Sequence, residues 1–304
     1  MADFSQGVAF IGDEFVPVAE ACIPVLDWGF LHSDATYDVA HVWHGRFFRV
    51  DEYLDRFHVS MARLRMSVPY SREQIREIMF ELVRQSGLRD AYVEIACTRG
   101  IPAPGSRDPR SCKNRFFAFA IPFVWIANSE MRRQGMNLLI SKQQRIPPES
   151  VDTRIKNYHW LDMVLGQFEA YDAEADSAIL VDARGNLVEG PGFNVFARSG
   201  ERVITPARGV LEGVTRMTLL ELLERQGVQV ACEDLPAATA RAADEVFITS
   251  TAGGVMPVTR LSGEPVGDGK PGELTAQLNE AYWALHEDPA YSEVVDYEGN
   301  RNEQ

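Results

Sequence analysis

The sequence predicts a mixed α/β fold in two domains. Three observations carry that expectation: a length of 304 residues with 45% hydrophobic side chains, enough for two cores; strand-like and helix-like segments that alternate along both halves; and a polar run that breaks the alternation. The expected divisions are residues 1–125 for a small N-terminal α/β domain, 126–136 for an interdomain linker, and 137–304 for a larger C-terminal α/β domain.

In the first half, Val8 to Val18 alternates around Gly12-Asp13 and reads as a hairpin, and Val39 to Val50 reads as a second one turning at His44-Gly45. A helix is expected from Asp51 to Met66. Another starts at Ser71, with Gln74 placed for a capping box, and stops at Gly87. Ala91 to Thr98 and Arg115 to Val124 are apolar, β-branched and aromatic enough for core strands. Between them, Arg99 to Asn114 is rich in Gly, Pro, Ser and Arg and reads as a long loop, a common seat of function.

The second half repeats the alternation. Strands are expected at Asn137 to Gln144, Ala178 to Asp182, Leu187 to Glu189, Asn194 to Ala197, Val228 to Cys232 and Glu245 to Ser250. Helices are expected at His159 to Ala175, Glu212 to Gln226 and Gly272 to His286, with a polar surface tail after Asp288.

A formal charge of −14 repels polyanions, and no Lys/Arg stripe is present, so nucleic acid and anionic membrane are poor partners. The segment Met1 to Gly12 shows no basic region leading into an apolar run, and no apolar stretch approaches the roughly 20 residues that span a bilayer. A cytoplasmic protein is expected. Cys22, Cys97, Cys112 and Cys232 are too widely spaced for a zinc site and read as reduced, and the six histidines suggest no metal.

Only four residues are lysines, and Lys156 stands out among them. It lies between Ile155 and Tyr158-His159-Trp160-Leu161, a run that opens a helix. A lysine so placed either pairs with a carboxylate or serves Schiff-base chemistry. Glu189, at a strand end before Gly190-Pro191-Gly192, is either a surface acid or a partner for a pyridine nitrogen. Gly209 to Arg216 joins a loop to a helix whose amides and Thr215 hydroxyl suit a phosphate, and Thr249 to Gly254 is a similar loop after a strand. Neither matches a P-loop or dinucleotide fingerprint.

Taken together, these stretches resemble the fold-type IV pyridoxal-phosphate enzymes, which include branched-chain aminotransferases, D-amino-acid transaminases, aminodeoxychorismate lyases and (R)-selective amine transaminases. The resemblance runs from Phe10 to Tyr297 through Leu26-Asp27-Trp28-Gly29-Phe30, Phe47-Phe48-Arg49-Val50, Leu54-Asp55-Arg56-Phe57, Arg154-Ile155-Lys156-Asn157, Glu189 to Asn194, Gly209 to Arg216, and Thr251-Ala252-Gly253-Gly254. It implies two α/β domains with pyridoxal 5'-phosphate between them, converted to pyridoxamine 5'-phosphate during ping-pong transamination. Lys156 would be the Schiff-base lysine and the proton carrier. Glu189 would pair with the ring nitrogen, Leu211 would pack on the ring, and Arg56, the Val214 amide, Thr215 and Thr251 would hold the phosphate. A homodimer with a shared active site is also implied.

Within the family, Gly29 to Val39, His41-Val42-Trp43, Tyr92-Val93-Glu94 and Tyr282 to His286 look closest to the (R)-selective amine transaminases. His32, Tyr37, Val39, Tyr92, Glu94, Tyr158, Trp160 and Ala252 would then line the substrate pocket, although His32 and Tyr37 also have an ordinary packing interpretation. The Arg-x-His carboxylate trap of D-amino-acid transaminases is replaced by Pro104-Gly105-Ser106. Glu94 would oppose a substrate α-carboxylate by like-charge repulsion. A keto-acid acceptor such as pyruvate still needs a cation, for which Arg107 is the nearest candidate and Arg110 the alternative. The expected reaction moves an amino group from a small hydrophobic (R)-amine to a keto acid; a branched-chain or D-amino-acid transaminase of the same fold is the rival.

Overall fold

The computed structural model describes residues 4–298, which divide into two compact units. Unit 1 comprises the chain up to Val124, the short segment Ile155–Tyr158, and the chain from His286 onward. Unit 2 comprises Trp125–Arg154 and His159–Leu285.

Unit 1 contains β1 (Val8–Ile11), β2 (Glu14–Pro17), α1 (Trp28–His32), β3 (Ala35–Trp43), β4 (Arg46–Phe48), α2 (Val50–Arg63), α3 (Arg72–Ser86), β5 (Ala91–Ile101) and β6 (Lys113–Pro122). With a strand at Ser292–Val294, they form an antiparallel sheet in the order Ser292–Val294, β4, β3, β5, β6, β1, β2. Both expected hairpins form, and their turns use left-handed backbone at Gly12-Asp13 and His44-Gly45. The capping box at Ser71 and Gln74 is present, and Gly87 ends α3 in a left-handed conformation. α2 buries Val50, Tyr53, Leu54, Phe57 and Met61, the stripe spacing that directs one helix face to a sheet.

The short helix α1 has no apolar periodicity to announce it. Asp27 builds it: its side chain accepts from Gly29 N at 2.8 Å and from Thr98 Oγ1 at 2.9 Å. That explains the Leu26-Asp27-Trp28-Gly29 stretch as a cap tied to β5.

Unit 2 contains α4 (Ser129–Gln134), β7 (Met136–Gln144), α5 (Leu161–Asp172), β8 (Ser177–Val181), β9 (Asn186–Leu187), β10 (Glu189–Gly190), β11 (Phe193–Ser199), β12 (Arg202–Thr205), α6 (Val214–Arg225), β13 (Gln229–Cys232), β14 (Leu235–Pro236), α7 (Ala237–Arg241), β15 (Glu245–Ser250), β16 (Gly254–Leu261), β17 (Glu264–Pro265) and α8 (Glu273–Ala284). Its mixed sheet runs β13, β12, β11, β15, β16, β7, β8, β9, β14, with β10 on β11 and β17 on β16. The core on one face gathers Leu138, Ile179, Val195, Val246, Ile248, Met256 and Val258.

Two expectations about organisation change. Residues 126–136 are not a plain linker, because Asn128 caps α4 by accepting from the amides of Glu130 and Met131, and the segment packs within unit 2. Lys156 was expected with the second half of the chain, yet Ile155–Tyr158 groups with unit 1. The cause is an antiparallel bridge between Thr36 and Asn157 that adds this segment to β3. Strands also form where none was expected: β12 is short, β16 contains Gly254 and Pro257, and Ser292–Val294 lies in the polar tail.

The loop after β5 is shorter than expected, since β5 continues to Ile101 across a register shift after Thr98. Gly100 makes that shift possible. Its φ is +82°, and a Cβ there would meet Lys113 O at 1.9 Å. Gly100→Ala is therefore expected to destabilise the protein by at least about 2 kcal/mol, read as a lowered denaturation midpoint.

Candidate active site

Strand alternation sorts the residues of β3 and β5. Asp38 turns toward α2, where Arg56 grips it through Nε to Oδ2 at 2.8 Å and Nη2 to Oδ1 at 2.7 Å. Tyr37 and Val39 therefore turn to the other face, where the register sets Tyr37 opposite Ala96 and Val39 opposite Glu94. Tyr37, Val39 and Ala96 form a small buried cluster with Tyr92, Phe117 and Tyr158 packed on it.

Lys156 is held on this face by its backbone. Its carbonyl accepts from Tyr37 N at 3.2 Å and Thr36 Oγ1 at 2.7 Å, and its amide donates to Ser60 Oγ at 3.4 Å. The ammonium sits 4.5 Å from the centre of the Tyr37 ring. Tyr37 in turn stacks on Tyr158, with ring centres 4.3 Å apart. Tyr158 Oη donates to Glu94 Oε1 at 2.7 Å and Tyr92 Oη to Glu94 Oε2 at 3.2 Å. Five expected pocket residues and the lysine thus form one aromatic and acidic constellation in unit 1. Among the described residues Lys156 makes no ion pair, so its amine is not consumed by a carboxylate.

In unit 2 the acid Glu189 is 4% exposed, not a surface group. Its Oε1 accepts from Arg145 Nε at 3.0 Å and its Oε2 from Leu211 N at 2.8 Å. Arg145 also reaches Asp162 Oδ2 through Nη1 at 2.7 Å. Leu211 O accepts from Asn194 Nδ2 at 2.9 Å, which carries the chain into Gly213, the N-cap of α6.

The α6 start is suited to an anion. Gly213 offers no side chain to cap it, and a Cβ there would meet Asn194 Oδ1 at 2.3 Å, so the backbone comes close only because the residue is glycine. Val214 and Thr215 are buried at its first positions, and Thr215 Oγ1 lies 3.5 Å from Tyr282 Oη. Nearby in the sheet, Thr249, paired with Asn194, has a buried Oγ1 without a hydrogen-bond partner. Unit 1 thus supplies a lysine amine without an ion pair among the described residues, and unit 2 a buried acid and a helix start with polar hydroxyls, group types that pyridoxal phosphate chemistry uses.

The remaining expected residues are placed as follows. Thr251 and Ala252 follow β15, with Ala252 N donating to Ser250 Oγ at 3.1 Å. Trp160 precedes α5, and its ring lies 3.8 Å from where a Cβ on Gly192 would be. His32 is exposed on α1 against Trp28, with ring centres 4.8 Å apart, and joins no cluster with Lys156. Arg107 is exposed in the loop after β5; Arg110 is bound to Asp108, with Nη2 to Oδ2 at 2.5 Å. Sequence reasoning missed Asp38, Ser60, Arg145, Asp162 and Asn194. None of them carries a sequence signal of its own; a base beside Glu189 is called for only once that acid is seen to be buried.

The model of the family described as amino-transferase class IV matches residues 35–261. A Methanocaldococcus jannaschii protein, provisionally named a branched-chain-amino-acid aminotransferase, is 30% identical over 276 residues, 90% of this chain and 94% of that protein. A D-alanine aminotransferase of Listeria monocytogenes serotype 1/2a is 29% identical over 280 residues, 90% of this chain and 93% of the relative. The crystal structure of a T.th. branched-chain amino acid aminotransferase with pyridoxamine 5'-phosphate superposes with a TM-score of 0.89 at 26% identity, covering 95% of this chain and 99% of that one. The chain accordingly belongs to the class IV aminotransferases, which are pyridoxal 5'-phosphate enzymes of fold type IV.

Proposed function

We propose that this aminotransferase transfers the amino group of small, hydrophobic, (R)-configured primary amines to a keto acid such as pyruvate. The observation that carries the reading is the wall around Lys156. The wall carries a buried acid, Glu94, which accepts hydrogen bonds from the hydroxyls of Tyr92 and Tyr158. An apolar amine avoids the cost that an amino-acid carboxylate meets beside this buried acid, which is like-charge repulsion where Glu94 is ionised and lost hydration where it keeps its proton.

Pyridoxal phosphate, when bound, supplies the electron sink. Lys156 Nζ would hold it covalently and, once displaced by the incoming amine, would take the proton from the amine-bearing carbon and return it to the cofactor. Glu189 would keep the ring nitrogen protonated, and Leu211 would pack on the ring. The Val214 amide, Thr215 and Thr251 would hold the phosphate, with Arg56, whose guanidinium also meets Asp38, as a further ligand. His32, Tyr37, Val39, Tyr92, Glu94, Tyr158, Trp160 and Ala252 shape the substrate space. Arg107 meets the acceptor carboxylate: it makes no ion pair among the described residues, whereas Arg110 is tied to Asp108.

The working unit is a homodimer. α5 supports this, because Leu161, Val164, Leu165 and Phe168 form an exposed apolar stripe while Met163 and Ala170 are buried on its other side. A second reading, transamination of branched-chain or D-amino acids, is favoured by what the M. jannaschii and L. monocytogenes relatives are named for.

Burial pushes the Glu94 carboxyl above its ordinary value, while the hydrogen bond from Tyr158, the Lys156 charge and Tyr92 pull it back. A raised value means the folded protein holds this proton more tightly than the unfolded chain. That contribution to stability is full below the unfolded value, about 4.3, and is lost as pH rises through the folded one. The thermal midpoint of the wild type relative to Glu94→Gln should therefore fall as pH is raised from about 4.5 to about 8. A constant difference contradicts the assignment.

For the activity, acetophenone formation is measured from each enantiomer of 1-phenylethylamine with pyruvate on cofactor-loaded protein. Turnover of the (R) form alone is expected; turnover of D-alanine or L-leucine with neither enantiomer accepted establishes the second reading instead. Lys156→Ala should cut kcat by about 10³-fold or more.

A further inference from the structure

Behind Glu189 lies a feature that no expected residue accounts for. Arg145, Asp162 and Glu189 are respectively 9%, 6% and 4% exposed, and Arg145 bridges the two acids, with Nη1 to Asp162 Oδ2 at 2.7 Å and Nε to Glu189 Oε1 at 3.0 Å. We propose that Arg145 and Asp162 are positioning residues for Glu189. The three side chains form a buried set with one surplus negative charge, and that surplus sets how firmly Glu189 keeps a proton on the cofactor's ring nitrogen. The inference rests on the reading that Glu189 faces that nitrogen.

Burying two acids with one base is costly unless every group is met. Asp162 is met at both oxygens: Oδ2 also accepts from Ile146 N at 2.8 Å, and Oδ1 from Met163 N at 2.8 Å, in the first turn of α5 where the helix favours negative charge. Glu189 is fixed at both oxygens by Arg145 and Leu211 N. Burial works against the Arg145 charge, yet the two acids outweigh it and hold the guanidinium above its ordinary value. Arg145 therefore stays charged, and its Nε at one oxygen, with the Leu211 amide at the other, fixes the plane of Glu189, while its Nη1 holds Asp162.

A simple Arg–Glu pair would be neutral and would give a ring proton little reason to stay. Asp162 restores the missing charge from a distance, without itself touching the ring. The two partners consequently act in opposite directions. Removing Asp162 makes the set neutral and weakens the ring proton; removing Arg145 doubles the surplus and strengthens it.

The test follows the ring-nitrogen resonance of holoenzyme reconstituted with nitrogen-15-labelled pyridoxal phosphate against pH, in the wild type, Asp162→Asn, Arg145→Gln, Arg145→Lys and Glu189→Gln. Asp162→Asn should weaken the proton affinity of the nitrogen about tenfold and Arg145→Gln should strengthen it by a similar factor. Arg145→Lys keeps the charge and should leave the affinity near that of the wild type, while kcat falls because a lysine cannot fork. If Arg145→Gln does not fold, Asp162→Asn and Arg145→Lys decide the matter. An unmoved midpoint in Asp162→Asn, with Glu189→Gln shifting it, overturns the positioning role alone. An unmoved midpoint in Glu189→Gln overturns the reading of Glu189 on which it rests.

Discussion

The carbonyl of Lys156 accepts two hydrogen bonds from β3, from the amide of Tyr37 and the hydroxyl of Thr36, and much of the constellation around the lysine follows from that attachment. Because main chain is tied to main chain, the four-residue segment Ile155–Tyr158 behaves as part of the sheet of unit 1 although its neighbours in sequence belong to unit 2. The lysine side chain lies outside these bonds, with its ammonium over the Tyr37 ring. Tyr158, two residues on, is carried by the same attachment onto Tyr37 and Glu94, so the anchor places both the amine and one wall of its surroundings.

Two buried carboxylates, Glu94 in unit 1 and Glu189 in unit 2, are stabilised differently. Glu94 is met by two tyrosine hydroxyls, whose donation favours the anion, while burial, the larger influence, favours the neutral acid. Glu189 is met by a guanidinium and a backbone amide, which favour the anion. In the proposed reaction Glu94 would stand beside a substrate without a carboxylate and Glu189 beside a ring kept cationic, tasks that suit these different environments.

Much of this was legible in the sequence because it rests on local rules. The capping box at Ser71, the stop at Gly87, the hairpin turns and the α2 stripe are set by neighbours a few residues apart, and they appear where expected. Lys156, Tyr37, Tyr158, Tyr92 and Glu94 were expected together through family resemblance, and the structure groups them. What escaped depends on distant partners. Arg145 and Asp162 look like ordinary surface charges until Glu189, 44 residues beyond Arg145, is found buried between strands. The strand Ser292–Val294 is polar in sequence and forms because β4 offers it an edge. α1 exists through Asp27 reaching Thr98, a contact no periodicity encodes.

Leu211 is tied at both of its backbone groups, its amide to Glu189 and its carbonyl to Asn194, and only two residues separate it from the first turn of α6. Glu189 and the helix start are thereby held a fixed interval apart by rigid main chain rather than by adjustable side chains. In the proposed binding mode these are the two ends that grasp the cofactor, one at its ring and one at its phosphate. The interval acts as a gauge. In that mode a vitamin form without the phosphate would engage one jaw only and an analogue with a longer arm could not seat both, so cofactor choice would turn on length as well as on charge.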